Sequence, residues 1–406
     1  MDDFHLITVL GMGSFGKVFL ARSHTSCQIM ALKVVRKPTC PSAQERLKNE
    51  IHILKIVKSP FICQMNNCFE TAQKLYFALE FYSGGDLLSL LFRHGKLREK
   101  NARFYLAEIA LGLEHLHGQN VLYRDLKPEN ILLDSHGHVK LSDFGLSLFG
   151  FTKECRTQGV SGTSEYMAPE ILRDEPYGHQ IDLWSFGIVA LVMLTAEPVF
   201  TGETDLVVRY VRYNVRNKKP KIPENLTSGC KQMIGGLLNK NPGNRWTMEN
   251  MKSCAFFKDV CWEKVLAKGY IPPFKPNVKG DEDTKNFENH GFTVFDTPCK
   301  QGEEFEPYII YEEDFVANVS NKPIAVIAEH SEAQTKERKP QSFTNPIDKV
   351  EQLESTLMEN KTKTNIGEKL ENEERKEPEV LHAKRQSAKP QADKKKAACR
   401  RLNPVN

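Results

Sequence analysis

The chain has 406 residues, a formal net charge of +4 and 40% hydrophobic residues. This length exceeds what one hydrophobic core usually organises, so we expect two lobes or domains followed by a tail. The small net charge argues against a general polyanion binder, and we predict no nucleic-acid partner. The ten cysteines show neither the CxxC spacing of a zinc site nor the framework of a secreted disulfide protein. No apolar run reaches the roughly 18 residues of a membrane span and no signal pattern opens the sequence, so we expect a soluble intracellular protein.

Residues up to about 82 are dominated by short strand patterns, such as "QIMALKVVRK" and "KLYFALEFY". One helix interrupts them in "SAQERLKNEIHILKIV", where we predict a serine N-cap and an apolar face formed by Leu47, Ile51, Leu54 and Ile56. Later runs such as "NARFYLAEIALGLEHLHGQ" and "DLWSFGIVALVML" have helical periodicity. The sequence therefore predicts a small β-rich lobe before a larger helical lobe.

The stretch "GMGSFGKV", from Gly11 to Val18, fits the pattern G-x-G-x-x-G-x-V between two strands, where glycines let backbone amides approach phosphates. By itself this pattern also fits a plain hairpin or a dinucleotide fingerprint. A dinucleotide site requires a helix after the glycines, but "KVFLAR" is typical of a strand, so the context favours a nucleotide lid. Lys33, in the apolar run "MALKVV", needs an anionic partner if it is desolvated, and Glu50 can supply one.

The stretch "YRDLKPEN" places four polar residues, Arg124, Asp125, Lys127 and Asn130, within eight positions. An aspartate that accepts a hydroxyl proton, a lysine that neutralises a phosphoryl group and an asparagine that binds magnesium are the groups that phosphoryl transfer requires. Asp143 in "LSDFG" adds a hard carboxylate oxygen of the kind that magnesium prefers. Together these residues predict a site for phosphoryl transfer.

These motifs, with "APE" at 168–170, "DLWSFG" at 182–187 and Arg245 in "NRWT", resemble those of eukaryotic protein kinases over residues 4–257. The resemblance implies an α+β fold of two lobes, with a small β-rich N-lobe at about 4–82 and a helical C-lobe at about 83–257. It also implies a buried ion pair between Glu170 and Arg245.

The resemblance assigns roles to the polar residues. Asp125 is implied to be the catalytic base, Lys127 to steady the γ-phosphate, and Thr163 to bond both of them. Asn130 and Asp143 are implied to bind two Mg²⁺ ions. The implied cofactors are therefore ATP and Mg²⁺.

The implied ATP contacts comprise the glycine loop, the lysine and its glutamate, the gatekeeper and the hinge. They are Leu10, Gly11, Gly13, Ser14, Phe15, Gly16, Val18, Ala31, Lys33, Glu50, Leu79, Glu80, Tyr82 and Asp86. Leu54, Tyr123 and Phe144 are implied to form part of an apolar spine that links the lobes.

Three features narrow the resemblance to one group of kinases. Lys127 within "YRDLKPEN" and Thr163 are similar to the serine/threonine-specific pattern. Tyr123 in place of the commoner histidine, with "LDSHGHVKLSDFGLS", resembles the AGC group, most of all its ribosomal protein S6 kinase and protein kinase C branches. Residues 258–317 resemble the C-terminal extension of that group, with Thr297 as a turn phosphosite.

Residues 318–406 contain a single aromatic residue, so we expect a disordered charged tail.

Departures from the group's pattern leave alternatives open. The stretch "FEPYIIYEEDF", residues 305–315, has the aromatic residues of a hydrophobic motif but no serine or threonine, and its acidic residues either replace a phosphate or form a plain linker. In the AGC group, the helix after "DLWSFG" usually carries an acidic residue that binds basic side chains of the substrate, and here Val192 replaces it. Asp86 and Glu129, at two other positions with this role, remain acidic. We therefore expect a preference for basic residues before the acceptor that is blunted.

The largest departure is in "GVSGTSEYMAPE", where Gly159 occupies the position of the activating threonine. Arg124 then lacks the phosphate that would bind it through charge-assisted hydrogen bonds. Either Thr157 or Ser161 substitutes for the missing acceptor, or the loop is ordered without a phosphate.

We therefore expect a serine/threonine protein kinase that acts on protein substrates, is a monomer and has an upstream kinase. A pseudokinase scaffold is the alternative, and a small-molecule phosphotransferase is disfavoured because the "SGTSEYMAPE" loop docks peptides in the family. We expect a cytoplasmic location. In the tail, "KKKAACRR" is interpreted either as a nuclear-import or anionic-surface patch or as a solvated charge run, and Ser387 in "AKRQS" as a phosphosite.

Overall fold

The computed structural model describes residues 4–13, 16–200, 207–287 and 306–307. The expectations for Ser14, Phe15, Thr297, the tail and most of the 305–315 segment concern residues outside these ranges. Within the described ranges, the cysteines are free thiols and no helix combines the length and apolarity needed to cross a bilayer.

Within the described residues, the small lobe is built on an antiparallel sheet of six strands, which are β1 (Phe4–Gly13), β2 (Gly16–Ser23), β3 (Ile29–Arg36), β4 (Met65–Glu70), β5 (Lys74–Glu80) and β8 (Glu306–Pro307). Their spatial order is β1-β2-β3-β5-β4-β8. One face of the sheet has its own core, which includes Phe19, Met30, Leu32 and Tyr76. The β-rich small lobe predicted from the alternating runs is confirmed.

Helix α1 (Pro41–Ile56) packs against this sheet and buries Glu50, Ile51, Ile53 and Leu54. The predicted serine cap is wrong, because the N-cap is Cys40, which makes no side-chain capping bond. Pro41 takes the first helical position, where its missing N–H costs no hydrogen bond, and this moves the start one residue ahead of Ser42.

The predicted apolar face of α1 also needs one correction. Ile56 is 39% exposed, whereas Ile53 is fully buried. The helix ends at Ile56, so the last turn carries this side chain beyond the sheet.

The large lobe is mainly helical and contains a two-stranded ribbon. Its helices are α2 (Leu87–His94), α3 (Glu99–Gly118), α4 (Pro169–Leu172), α5 (Gln180–Thr195), α6 (Val207–Asn217), α7 (Ser228–Leu237), α8 (Met248–Lys252) and α9 (Trp262–Leu266), and its strands are β6 (Ile131–Leu133) and β7 (Val139–Leu141). Short 3₁₀ turns occur at Pro128–Asn130 and Ala255–Phe257.

Helix α5 forms the centre of the large lobe. Every residue from Ile181 to Leu194 is buried, as expected for a helix that is apolar all round. Val192 is one of these buried residues. The helix therefore provides a fixed base for the loops that cross its N-terminal end.

The part of the expected C-terminal extension that the structure describes, residues 258–287, runs from the large lobe to the connection between the lobes. Lys268 Nζ lies 3.0 Å from Asp134 Oδ2. Farther along, Asn286 Nδ2 donates to the carbonyl of Ser83 at 2.9 Å, and the ring of Phe287 stacks on Phe81 at 5.6 Å. These residues therefore contact both the large lobe and the connection between the lobes.

Candidate active site

The loop between α3 and β6 positions two of the predicted polar residues. Asp125 and Asn130 are both buried, and Asn130 Nδ2 donates to Asp125 Oδ2 at 2.9 Å and to its carbonyl at 2.8 Å. The loop backbone is anchored on α5, because Asp182 accepts hydrogen bonds from the amides of Tyr123 and Arg124 at 3.0 and 2.8 Å. The buried Asp182 carboxylate thus holds the backbone of this loop against helix α5.

Asp125, Lys127 and Thr163 form a closed triangle of polar contacts. Lys127 Nζ lies 3.0 Å from Asp125 Oδ2 and donates to Thr163 Oγ1 at 2.8 Å. The threonine hydroxyl in turn donates to Asp125 Oδ1 at 2.9 Å. The structure therefore brings together three predicted residues from two separate segments, with a carboxylate able to accept a proton beside an ammonium.

A second cluster joins the two lobes through Lys33. Its ammonium lies 2.7 Å from Glu50 Oε1 and 3.0 Å from Asp143 Oδ1. Burial alone would lower the pKa of Lys33, but the two carboxylates outweigh it and raise that pKa above its ordinary value. Burial would raise the pKa of Asp143, but the Lys33 ammonium outweighs that effect and lowers it. Both groups are therefore charged at neutral pH.

The remaining ligand positions fit a magnesium ion with phosphates. Asp143 has the left-handed φ of 56° that aspartate tolerates better than most residues, and its carboxylate is ionised. The amide nitrogen of Asn130 donates to Asp125, so a cation at this position would be bound by the amide oxygen. The described residues contain no group of three or more His, Cys, Asp or Glu side chains suited to a metal. A cation here would thus rely on these two oxygens, phosphates and water, which is the usual manner of magnesium.

The turn between β1 and β2 and the strand ends beside it contain the glycines of the predicted phosphate-binding loop, and the structure shows what surrounds two of them. A Cβ on Gly16, whose φ is +143°, would lie 2.1 Å from the carbonyl oxygen of Val34, so only glycine fits. At Gly11 no atom lies within 4 Å of such a Cβ, which leaves open space beside the strand. This space is where the sequence predicts close approach of a phosphate.

The sheet register gathers other predicted ATP contacts on one face. Val18 pairs with Lys33, and Ala31 pairs with Leu79. Because side chains two residues apart in a strand share a face, Ala31 and Lys33 point the same way, together with Val18 and Leu79. An apolar surface therefore borders the lysine, as an adenine pocket requires.

The hinge residues show a bonding pattern that their sequence did not reveal. Tyr82 is buried, its hydroxyl donates to Glu80 Oε2 at 2.6 Å, and it accepts from the amide of Gln64 at 3.2 Å. Asp86 caps α2 by accepting from the amide of Ser89 at 2.7 Å. The Glu80 and Tyr82 side chains are thus bonded to each other, and any adenine contact from the hinge would use the main chain.

The apolar and ionic supports implied by the resemblance are present. Tyr123 and Phe144 are buried with ring centres 5.5 Å apart, and Leu54 belongs to the same core. Arg245 donates to both oxygens of Glu170, at 2.6 and 2.9 Å, with both side chains fully buried. This pair connects the end of the "APE" segment to the loop after α7.

Sequence reasoning missed two residues next to the loop between α3 and β6, which we call the catalytic loop. His117 Nε2 lies 2.8 Å from Asp182 Oδ2 and so buttresses the carboxylate that holds the loop. Tyr177 accepts a hydrogen bond from Arg124 Nη1 at 3.4 Å. Neither has a local signal: a histidine in the last turn of a helix is common, and a tyrosine in a loop indicates nothing by itself.

The comparisons with known proteins agree with this geometry. The family model described as "Protein kinase domain" matches residues 4–257. Ribosomal protein S6 kinase beta of Caenorhabditis elegans is 43% identical over 312 residues, 74% of this chain and 56% of that protein. Serine/threonine-protein kinase Sgk1 of Homo sapiens is 40% identical over 298 residues, 71% of this chain and 68% of that protein.

A third relative, ribosomal protein S6 kinase alpha-1 of Homo sapiens, is 40% identical over 296 residues, 71% of this chain but 40% of that protein. The chain thus spans about half the length of the ribosomal protein S6 kinases that it matches. The matched region contains both polar clusters and the helix that supports them. The chain therefore belongs to the protein kinase family, in the AGC group with these relatives.

Proposed function

We propose that this chain is a serine/threonine protein kinase that transfers the γ-phosphoryl group of MgATP to hydroxyl groups of proteins. The observation that carries the proposal is the closed triangle of Asp125, Lys127 and Thr163, of which Asp125 and Lys127 lie on a loop anchored to the core helix. A carboxylate, an ammonium and a hydroxyl within 3.0 Å of one another are the groups that proton removal and charge neutralisation need.

Each residue has a defined task in this reaction. Asp125 accepts the proton of the substrate hydroxyl as its oxygen attacks phosphorus, and Lys127 offsets the negative charge that builds on the transferred group. Lys33, held by Glu50, orients the phosphates of the nucleotide. When bound, MgATP supplies the phosphoryl group and the cations that neutralise its charge. Asp143 and Asn130 are the residues that would hold those cations.

The alternative of a pseudokinase scaffold has less support. A scaffold has no need to keep Lys33 charged between two carboxylates or to tie Thr163 to Asp125. Retaining charged groups in a buried site is costly unless they are paired or used. The intact geometry of both clusters therefore favours catalysis.

We further propose that the enzyme prefers arginine or lysine before the acceptor residue. Glu129 lies within the catalytic loop, between Lys127 and Asn130, and is exposed, so its carboxylate is accessible to a basic substrate side chain. Asp86 contributes less, because its carboxylate already caps α2. Val192 lies inside the core helix and takes no part. The substrates are then proteins with basic segments, and the cytoplasm, with the nucleus as a second location, is where we expect them to be met.

The test is phosphorylation of a serine/threonine peptide library by the purified chain, with libraries that carry basic or acidic residues before the acceptor. We expect transfer to serine and threonine, higher for basic peptides, and its loss in Asp125→Asn. The matched control is Asp259→Asn, an exposed aspartate outside the site, which should keep wild-type activity. A wild type that binds MgATP but phosphorylates no peptide or protein would favour the scaffold.

A further inference from the structure

The side chain of Arg124, the residue before the catalytic base, extends toward the activation segment, which we define as residues 146–170. Arg124 has a φ of 68°, a conformation that costs energy for a residue with a side chain and so needs support. Its amide is held by Asp182, and its Nε donates to the carbonyl of Leu146 at 2.5 Å. Nη1 of the guanidinium donates to the hydroxyl of Tyr177 at 3.4 Å.

Tyr177 is placed to join two segments through one hydroxyl group. The side chain is 2% exposed, and its hydroxyl donates to the carbonyl of Gly159 at 3.0 Å. Since a guanidinium can only donate, the same oxygen accepts from Arg124 while its proton goes to Gly159. The order of donors is therefore determined: Arg124 to Tyr177, and Tyr177 to Gly159.

The backbone around Tyr177 holds this hydroxyl in place. The amide of Thr157 donates to the carbonyl of Tyr177 at 3.0 Å, and the amide of Tyr177 donates to the carbonyl of Thr157 at 2.8 Å. This reciprocal pair connects the activation segment to the loop between α4 and α5. Tyr177 is consequently held by hydrogen bonds at both its backbone and its side-chain hydroxyl.

Gly159 is held from its other side as well. Its amide donates to Asp174 Oδ1 at 3.1 Å, and Gln158 Nε2 donates to the carbonyl of Asp174 at 2.6 Å. Gly159 has a φ of +100°, where a residue with a side chain would be strained. This backbone geometry suits glycine, and the hydrogen bonds to Asp174 hold the segment at this position.

We propose that the hydroxyl of Tyr177 is the positioning group that couples the activation segment to the catalytic loop, so that turnover does not require phosphorylation of that segment. Tyr177 does not touch the reacting atoms. It acts through Arg124, which adjoins Asp125, and through Gly159, which lies four residues before Thr163. Because Thr163 donates to Asp125, the two ends of this connection meet again at the base. The inference rests on the proposed kinase activity.

The position of the connection determines which kinetic constant it should affect. In the proposed function Lys33, held by Glu50, orients the nucleotide phosphates, and the ion-pair partners of Lys33 are Glu50 and Asp143 rather than Tyr177. Loosening Arg124 should displace Asp125 and Thr163 instead. The expected signature is a lower kcat with an unchanged KM for ATP.

The first experiment removes phosphate from the purified full chain with a protein phosphatase, with mass spectrometry before and after a peptide assay to show that the activation segment stays unmodified. We expect the treated protein to keep its kcat. Activity that is lost only after treatment would overturn the inference and leave the kinase function standing. A wild type inactive both before and after treatment would overturn the kinase function and this inference with it.

The second experiment compares Tyr177→Phe with Tyr270→Phe. The first change removes the hydroxyl and keeps the buried ring, and we expect kcat to fall about three- to ten-fold with an unchanged KM for ATP. Tyr270 is the matched control, since its hydroxyl accepts from the amide of Cys261 at 3.2 Å, away from the site. We expect Tyr270→Phe to leave kcat unchanged. Wild-type kcat in Tyr177→Phe would overturn the inference.

A double-mutant cycle separates positioning from a general structural role. In an Arg124→Ala background, Tyr177→Phe should cause a smaller loss of kcat than in the wild type, because one of the two groups through which Tyr177 acts is gone. A purely structural effect of the tyrosine would instead persist in that background. Losses that multiply in the double variant would therefore overturn the inference.

Discussion

Two buried ion pairs, one in each lobe, have nearly the same chemistry but different surroundings. Lys33 and Glu50 are 2.7 Å apart in the small lobe, and Arg245 and Glu170 are 2.6 Å apart in the large lobe. Lys33 also contacts Asp143, whose side chain is 33% exposed. Arg245 is completed inside the protein by backbone carbonyls at 2.9 and 3.0 Å and by the ring of Trp184.

The comparison shows that a buried ion pair does not by itself mark a functional site. In the large-lobe pair, Arg245 donates four hydrogen bonds to protein oxygens, and the side chains of Arg245 and Glu170 are 0% and 2% exposed. The small-lobe pair ends at a partly exposed carboxylate, which can exchange its contacts for a cation and phosphates. The partly exposed Asp143 carboxylate, rather than the Lys33–Glu50 pair, is thus the feature that indicates a functional site.

The largest effect should come from the open end of the small-lobe cluster. Asp143→Asn removes the ionised cation ligand, so we expect a loss of kcat of at least about 10² to 10³. Magnesium-dependent ATP binding, measured by titration calorimetry, should weaken as well. Stability should change little, because Lys33 keeps Glu50 as its partner. Near wild-type turnover in this variant would contradict the assigned role.

Breaking the Arg245–Glu170 pair should instead lower the stability of the fold. Arg245→Ala leaves the Glu170 carboxylate buried without its partner, so we expect the free energy of unfolding to fall by about 3 to 5 kcal/mol. The measurement is denaturant unfolding followed by fluorescence. The double variant with Glu170→Gln and Arg245→Met is the control and should lose less, since no buried charge remains. Wild-type stability of Arg245→Ala would refute the structural role.

A third pair, Asp134 and Lys268, extends the comparison to a partly exposed site where the extension meets the large lobe. Burial raises the pKa of Asp134, but the amide of His138 and the Lys268 ammonium outweigh it, and the net pKa lies below the ordinary 3.8. A carboxyl with a lowered folded pKa stabilises the protein fully above its unfolded pKa. That contribution is lost as the pH falls below 3.8 and through the folded pKa.

Asp134→Asn should therefore lower the free energy of unfolding by about 1 to 3 kcal/mol at neutral pH. It should also flatten the fall of stability with acid in the window below pH 3.8. Unfolding measured at a series of pH values for both proteins checks this. An unchanged acid slope in the variant would show that Asp134 is not one of the titrating groups.

The smallest effect is expected for a surface pair. Lys252 Nζ lies 2.7 Å from Glu114 Oε2, but the glutamate side chain is 44% exposed. Water screens such a pair, so Glu114→Gln should change the free energy of unfolding by no more than about 1 kcal/mol. The same unfolding assay measures it. A loss as large as that of Arg245→Ala would show that the short distance between the charged atoms matters more for stability than their burial.

Local motifs predicted most of the catalytic clusters because their chemistry is carried by neighbouring residues. Asp125, Lys127 and Asn130 lie within six positions, and these residue types together with Asp143 predicted a site for phosphoryl transfer. Capping was predicted less well: a serine was expected to cap α1, but Pro41 moved the start to Cys40. Asp86, which was expected at the cofactor, caps α2 as well. Cap positions depend on backbone dihedrals that periodicity does not determine.

The amino-acid sequence by itself determined the two-lobe architecture, the glycine turn and the identity of the polar groups, because periodicity and short motifs are local properties. Only the tertiary structure decided which distant groups meet. Arg124 and Tyr177 are separated by 53 positions, and their contact exists because the chain after α4 returns to pair with Thr157. His117 reaches Asp182 in the same way, across 65 positions. Contacts of this kind arise from packing around α5, whose burial orients every loop that crosses it, and no local pattern encodes them.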